Sequence, residues 1–142
     1  MITCLPFVFL AQAQPESAEP DSEWGRTISR TLEHDGQNYA WSVMIPEQAE
    51  VGGAAILFLH GAGECGTDGK KNLEAGLPWH VRNETENWPF VIIVPQKPSV
   101  ESEWEDHEEV LRALLDEANE EGLFDPARLA ITGLSQGGHG TI

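Results

Sequence analysis

Gly133-Leu134-Ser135-Gln136-Gly137-Gly138 follows directly on the apolar run Leu129-Ala130-Ile131-Thr132, and together they have the G-x-S-x-G form of a nucleophile elbow. In that motif a serine sits at a sharp strand-to-helix turn with its hydroxyl raised at the top of a sheet. The glycines have a steric role: at Gly133 and Gly137 the missing Cβ lets strand and helix approach closely, and the serine between them is expected to hold a strained backbone. The first amides of the following helix then face the site. An oxyanion formed beside Ser135 would meet backbone N–H groups and the positive end of a helix dipole.

Two further apolar runs precede the elbow, Ala54-Ala55-Ile56-Leu57-Phe58-Leu59 and Phe90-Val91-Ile92-Ile93-Val94. They are continuous rather than alternating, which suits strands buried on both faces in a parallel sheet covered by helices, and Leu129 to Thr132 reads as a third. Between the second and third, Val110, Leu111, Leu114, Leu115 and Ala118 recur at helical spacing. Ser102-x-x-Glu105 is expected to cap that helix and Gly122 to close it, while Glu117, Glu120 and Glu121 oppose its dipole. A shorter helix is predicted over Asn72 to Val81, broken by Gly76 and Pro78. Upstream, Arg26 to His34 and Gln37 to Ile45 flank Asp35-Gly36 as a hairpin, with Tyr39, Trp41 and Val43 on one face, and Pro46 to Gly53 is a loop. A hairpin followed by strand, helix, strand, helix, strand and elbow spells an α/β domain with a mostly parallel sheet and flanking helices.

Before that domain the chain reads as an export signal. Leu5 to Leu10 is a short apolar core and Ala11-Gln12-Ala13 an A-x-A cleavage site, so residues 1–13 are expected to be a signal peptide with Gln14 as the mature N-terminus. The expected location is therefore secreted or periplasmic. Residues 14–25, rich in Pro, Glu and Ser, are expected to be disordered, leaving residues 26–142 as the folded part. Across the 142 residues, 24 acidic against 8 basic side chains give a net charge of −16, which argues against nucleic acid or anionic membrane surfaces as partners. No apolar run approaches the length of a membrane span. Cys65, the one cysteine after the signal, is either a lone buried thiol or paired with a cysteine elsewhere.

The loop after the first buried run, His60-Gly61-Ala62-Gly63-Glu64-Cys65-Gly66, contains G-x-G-x-x-G. A dinucleotide fingerprint would need an immediate helix and an acidic residue ending the next strand, whereas this loop runs into Thr67-Asp68-Gly69-Lys70-Lys71 and the next strand ends in Pro95-Gln96. A phosphate-binding loop fails as well, since Lys71 stands where Ser or Thr is required. No cofactor is therefore expected. An HG loop ending one buried strand and a G-x-S-x-G ending another, in that order, is the combination of an acyl-transfer site.

His60-Gly61-Ala62-Gly63-Glu64, Gly76-Leu77-Pro78, Pro89 to Gln96, Trp104, Asp125-Pro126-Ala127-Arg128 and Thr132 to Thr141 together resemble successive landmarks of the α/β-hydrolase superfamily. The resemblance, over residues 37 to 142, is to its secreted esterases and predicted peptidases, of the carboxylesterase/phospholipase-like and polyhydroxyalkanoate-depolymerase-like groups. It implies the N-terminal half of that fold, with the C-terminal strands absent. It further implies that Ser135 is the nucleophile, that Ala62 and Gln136 donate the oxyanion-hole amides, and that the triad Asp and His follow the nucleophile in chain order, beyond Ile142. The expected activity is hydrolysis of a small-molecule or polymer ester through an acyl-enzyme, with these residues alone inactive. A peptidase of the same fold, and a non-catalytic binding or structural member of it, are the alternatives.

The histidines present are expected to be structural or superficial: His60 holds the HG loop, His139 points along the elbow helix, and His34, His80 and His107 precede the nucleophile. His107-Glu108-Glu109 lacks the H-E-x-x-H spacing, so no metal set is expected and Asp106 to Glu109 reads as a solvated helix face. Asn83-Glu84-Thr85 has the form of a glycosylation sequon. Trp104 either lines an acyl pocket or packs beneath the loop.

Overall fold

The computed structural model describes residues 25–83 and 87–142. The expected signal peptide, the segment up to residue 24, and Glu84 and Thr85 of the sequon lie outside the described residues. Gly25, placed in the N-terminal segment by its sequence, opens the first strand instead.

Among the described residues five strands form one sheet in the order β1-β2-β4-β3-β5. β1 (Gly25–His34) and β2 (Gln37–Pro46) make the expected antiparallel hairpin, with Asp35 and Gly36 at φ 51° and 75°, the paired left-handed turn that Asp-Gly favours. β2 runs antiparallel to β4 (Val91–Pro95), and β4, β3 (Ala55–Leu59) and β5 (Leu129–Gly133) are mutually parallel. The parallel strands thus end together at one edge of the sheet.

Alternation along each strand sends side chains to two cores. Trp41, Val43, Leu57, Leu59, Val91 and Ile93 face α2 (Glu108–Glu120), which contributes Val110, Leu114 and Ala118 at i, i+4 and i+8. Met44, Phe58, Ile92 and Val94 face α1 (Gly76–Asn83), which contributes Val81. β3 and β4 are therefore covered on both sides, as their continuous apolar runs require. α2 ends as predicted: Gly122 takes φ 70°, its N–H donates to Asn119 C=O at 2.9 Å, and Leu123 N–H reaches Ala118 C=O at 3.0 Å.

Three expectations are corrected. Residues 71–83 form a 3₁₀ turn at Lys71–Leu73 and then α1, which Gly76 and Pro78 begin rather than break. Gly76 adopts φ 61°, where a Cβ would stand 2.5 Å from the Phe58 ring, and Pro78 falls in the first turn, where no intrahelical donor is needed. The Ser102/Glu105 capping box does not form. Ser102 Oγ bonds instead to Ser99 C=O at 3.2 Å and His107 Nε2 at 2.8 Å, and a 3₁₀ turn, Glu105–His107, leads into α2. Finally, β5 is not buried on both faces. Among the described residues it pairs with β3 alone, and Ile131 is 52% exposed, because β5 is the sheet edge there and α3 (Gln136–His139) covers little of it.

Candidate active site

Ser135 occupies the turn between β5 and α3 at φ 52°, ψ −115°. A non-glycine residue there is strained, and the neighbouring packing is what holds it. Leu134 N–H donates to Leu59 C=O at 3.0 Å and Gly137 N–H to Leu134 C=O at 2.8 Å, locking the turn between β3 and α3. The two elbow glycines are obligatory. A Cβ on Gly133 would stand 2.2 Å from Gly137 O, and one on Gly137 would stand 1.9 Å from Leu59 O. The result is an exposed serine at the end of the parallel strands.

The HG loop lies directly against this turn: a Cβ on Gly61 would come within 3.3 Å of Leu134 O and 3.5 Å of Ser135 Cβ. Its conformation is set by His60, which is 1% exposed. Lys97 N–H donates to Nε2 at 2.9 Å, so Nε2 is the acceptor and Nδ1 carries the proton, which it donates to Gly61 C=O at 2.6 Å. Burial lowers the pKa of His60, consistent with this neutral ring. Gly61 C=O and Ala62 N–H belong to one planar trans peptide and point in opposite directions, so pinning the carbonyl to His60 turns the Ala62 amide away from the ring. Glu64 completes the loop by accepting Gly61 N–H at 2.9 Å. Ala62 N–H and Gln136 N–H begin the loop's 3₁₀ turn and α3, and neither donates to another group among the described residues.

Trp104 packs beneath the loop. It is 2% exposed, its Nε1–H donates to His60 C=O at 3.0 Å, and its ring meets His60 edge-on at 4.9 Å. Among the described residues no histidine ring is hydrogen-bonded to the Ser135 hydroxyl; His139 meets Ser135 only through its backbone N–H, which donates to Ser135 C=O at 3.3 Å, and the His107 ring is turned to Ser102. Cys65 is a free thiol whose pKa is raised by partial burial, its sulfur 4.0 Å from Gly61 O.

Several supporting residues have no motif to announce them. The Gln96 carboxamide accepts Gly69 N–H at 2.7 Å and donates to Glu64 C=O at 3.2 Å and Asp68 Oδ1 at 2.9 Å. Asp68 also accepts the N–H groups of Lys70 and Lys71. The Lys70 N–H first, then Gln96 and the Lys71 N–H, hold its carboxyl at about 2, below the ordinary 3.8. Lys97 is buried. The hint for both Gln96 and Lys97 was polarity immediately after a fully buried strand, where a side chain must find partners.

A wide groove lies elsewhere. An open groove of about 1010 Å³ between the hairpin and the 67–74 loop is lined by Thr27, Ser29, Thr31, Asp68, Lys70 and Arg82. None of these has the strained turn and flanking free amides found at Ser135, which is the candidate site on backbone geometry rather than cavity size. Half-buried His34 and exposed Asp35 and Glu109 bring three possible ligand atoms within 4.8 Å of one another, with His34 Nε2 3.7 Å from Asp35 Oδ2 and 3.6 Å from Glu109 Oε2. Among the described residues no helix is long and apolar enough to cross a membrane.

No protein-family model matches the chain, and no curated protein is similar to it in sequence. Solved structures are similar to it in fold. A thermostable esterase is 25% identical with a TM-score of 0.60, over 81% of this chain and 36% of its own. An S-formylglutathione hydrolase from Agrobacterium tumefaciens is 14% identical with a TM-score of 0.60, over 88% and 54%. A thermostable esterase from Pseudomonas putida ECU1011 is 23% identical with a TM-score of 0.57, over 88% and 39%. The chain has the α/β architecture of these enzymes, and spans between about a third and a half of their length.

Proposed function

We propose that this chain carries the nucleophile and the oxyanion hole of a serine carboxylic-ester hydrolase of the α/β-hydrolase type. The observation that carries the reading is Ser135 at φ 52°, ψ −115° with Gly61 of the HG loop packed onto it. Ser135 Oγ attacks the ester carbonyl, the amides of Ala62 and Gln136 stabilise the oxyanion, the alcohol leaves, and water hydrolyses the acyl-enzyme. On this reading the base and acid would be supplied by sequence outside these 142 residues, which is supported by the lack, among the described residues, of a histidine ring hydrogen-bonded to the Ser135 hydroxyl. The esterase neighbours favour an ester over a peptide, with a small-molecule or polymer substrate.

The full-length protein is expected to be labelled at Ser135 by a fluorophosphonate probe, and Ser135→Ala to abolish the label and short-chain aryl ester hydrolysis. The 142-residue chain alone is expected to show turnover on the order of 10⁶ below that of the full-length enzyme, since a missing base leaves oxyanion-hole and binding effects. Labelling that persists in Ser135→Ala refutes the assignment.

Export is the second part of the proposal, supported by the apolar core at Leu5 to Leu10 and Ala11-Gln12-Ala13. Mass spectrometry of protein recovered outside the cytoplasm is expected to show Gln14 as its first residue. Intact residues 1–13 on that protein would overturn it.

A further inference from the structure

Three segments meet beside Ser135: the HG loop, the segment 97–102 after β4, and the elbow. Lys97 is bonded to the first two and shares an acceptor with the third. Its N–H donates to His60 Nε2 at 2.9 Å and its C=O accepts Gly66 N–H at 3.0 Å. Its Nζ donates to Ser99 C=O at 2.8 Å and to Ser102 C=O. Gln136 Nε2 donates to that same Ser102 C=O at 3.3 Å, and to Val100 C=O at 3.3 Å.

Lys97 is 1% exposed. A buried ammonium is costly unless its protons are bonded, so its position is dictated by the carbonyls it meets. The reverse also holds. Ser99, Val100 and Glu101 are exposed, and the segment's other side-chain bonds are Glu101 N–H to Ser99 Oγ, Ser102 Oγ to Ser99 C=O and Ser102 Oγ to His107 Nε2. Without the ammonium the segment keeps its internal turn and the Ser102–His107 bond, but its Ser99 and Ser102 carbonyls lose their buried donor. Gln136 would lose its fixed acceptors with it, since its Oε1 is buried without a partner and the two Nε2 bonds alone orient the side chain.

We propose that Lys97 is the positioning residue of the oxyanion site: its buried ammonium fixes the Ser102 carbonyl that anchors the Gln136 side chain, and so holds the Gln136 amide beside Ser135. This rests on the reading of Ser135 as the nucleophile. Lys97 touches no substrate; it acts through Gln136.

The test uses the full-length protein, with fluorophosphonate labelling rate at Ser135, kcat and KM for a short-chain aryl ester, and thermal unfolding, in wild type, Lys97→Met, Lys97→Arg, Gln136→Met and the Lys97→Met/Gln136→Met double variant. Lys97→Met and Gln136→Met are each expected to slow labelling and kcat on the order of 10-fold, short of the 10²–10³ that losing an oxyanion donor itself costs, with KM within about twofold. The double variant is expected to be no slower than the slower single, because both cut one connection. Lys97→Arg keeps the charge and donors and is expected to recover part of the rate. A wild-type labelling rate in Lys97→Met, or fully multiplicative losses in the double variant, would overturn the proposal while leaving Ser135 as nucleophile. An unlabelled Ser135 in the wild type would remove both. Should Lys97→Met not fold, Gln136→Met alone decides: a wild-type rate there overturns the proposal.

Discussion

Gly137 is where a single missing atom matters most, since its Cβ would stand 1.9 Å from Leu59 O, a backbone atom of the central sheet that has no freedom to withdraw. Gly137→Ala is expected to cost ~3 kcal/mol or more, the upper end of overpacking penalties, because relief requires α3 to move off β3. Gly63→Ala is the control: nothing lies within 4 Å of its Cβ position, and the expected change is within ~0.5 kcal/mol. Urea denaturation of the pair measures the difference, and equal midpoints would show that the elbow is not packed as described. Ser135 was legible for the same reason as Gly137: a local steric pattern written in consecutive residues. His60 was legible only as part of a motif. Its tautomer depends on the Lys97 N–H, 37 residues away.

At the scale of elements, residues 64–71 and the end of β4 are joined by polar side chains, while Leu73 packs in one apolar cluster with Ile92 and Val94. Asp68 is the junction, and its depressed pKa ties loop stability to acidity. A carboxylate bound more weakly to protons when folded contributes stability that is fully present above its unfolded pKa, near 3.8, and is lost as pH falls toward its folded value of about 2. Thermal unfolding followed between those values is expected to show a loss of stability in the wild type that Asp68→Asn lacks, and parallel profiles would refute the junction. The effect is small because Asp68 is exposed. The element types were legible throughout, from the hairpin to α2. Their ends were less so: Gly76 and Pro78 looked like helix breakers because sequence shows that they cannot sit mid-helix, and only the Phe58 ring shows that they stand at its start.

Across the whole molecule, β5 leads into Ser135 yet is the edge of the sheet among the described residues, and Ile131 and Leu134 are 52% and 43% exposed. In the 142-residue chain Ile131→Lys is expected to leave stability within ~0.5 kcal/mol of wild type and to lower self-association, read by chemical denaturation and sedimentation, since a charge on an edge strand deters pairing. A loss of ~2 kcal/mol or more would mean that Ile131 is packed. The sequence by itself determined the α/β class, the hairpin, the three parallel strands and the elbow, because turn sterics and apolar periodicity are properties of neighbouring residues. The tertiary structure alone decided that the third apolar run is half exposed, that Trp104 packs under the loop, and that His60, Lys97 and Gln136 converge. Those outcomes depend on which strand lies beside which, and the order β1-β2-β4-β3-β5 brings together side chains tens of residues apart whose hydrogen bonds no local pattern encodes.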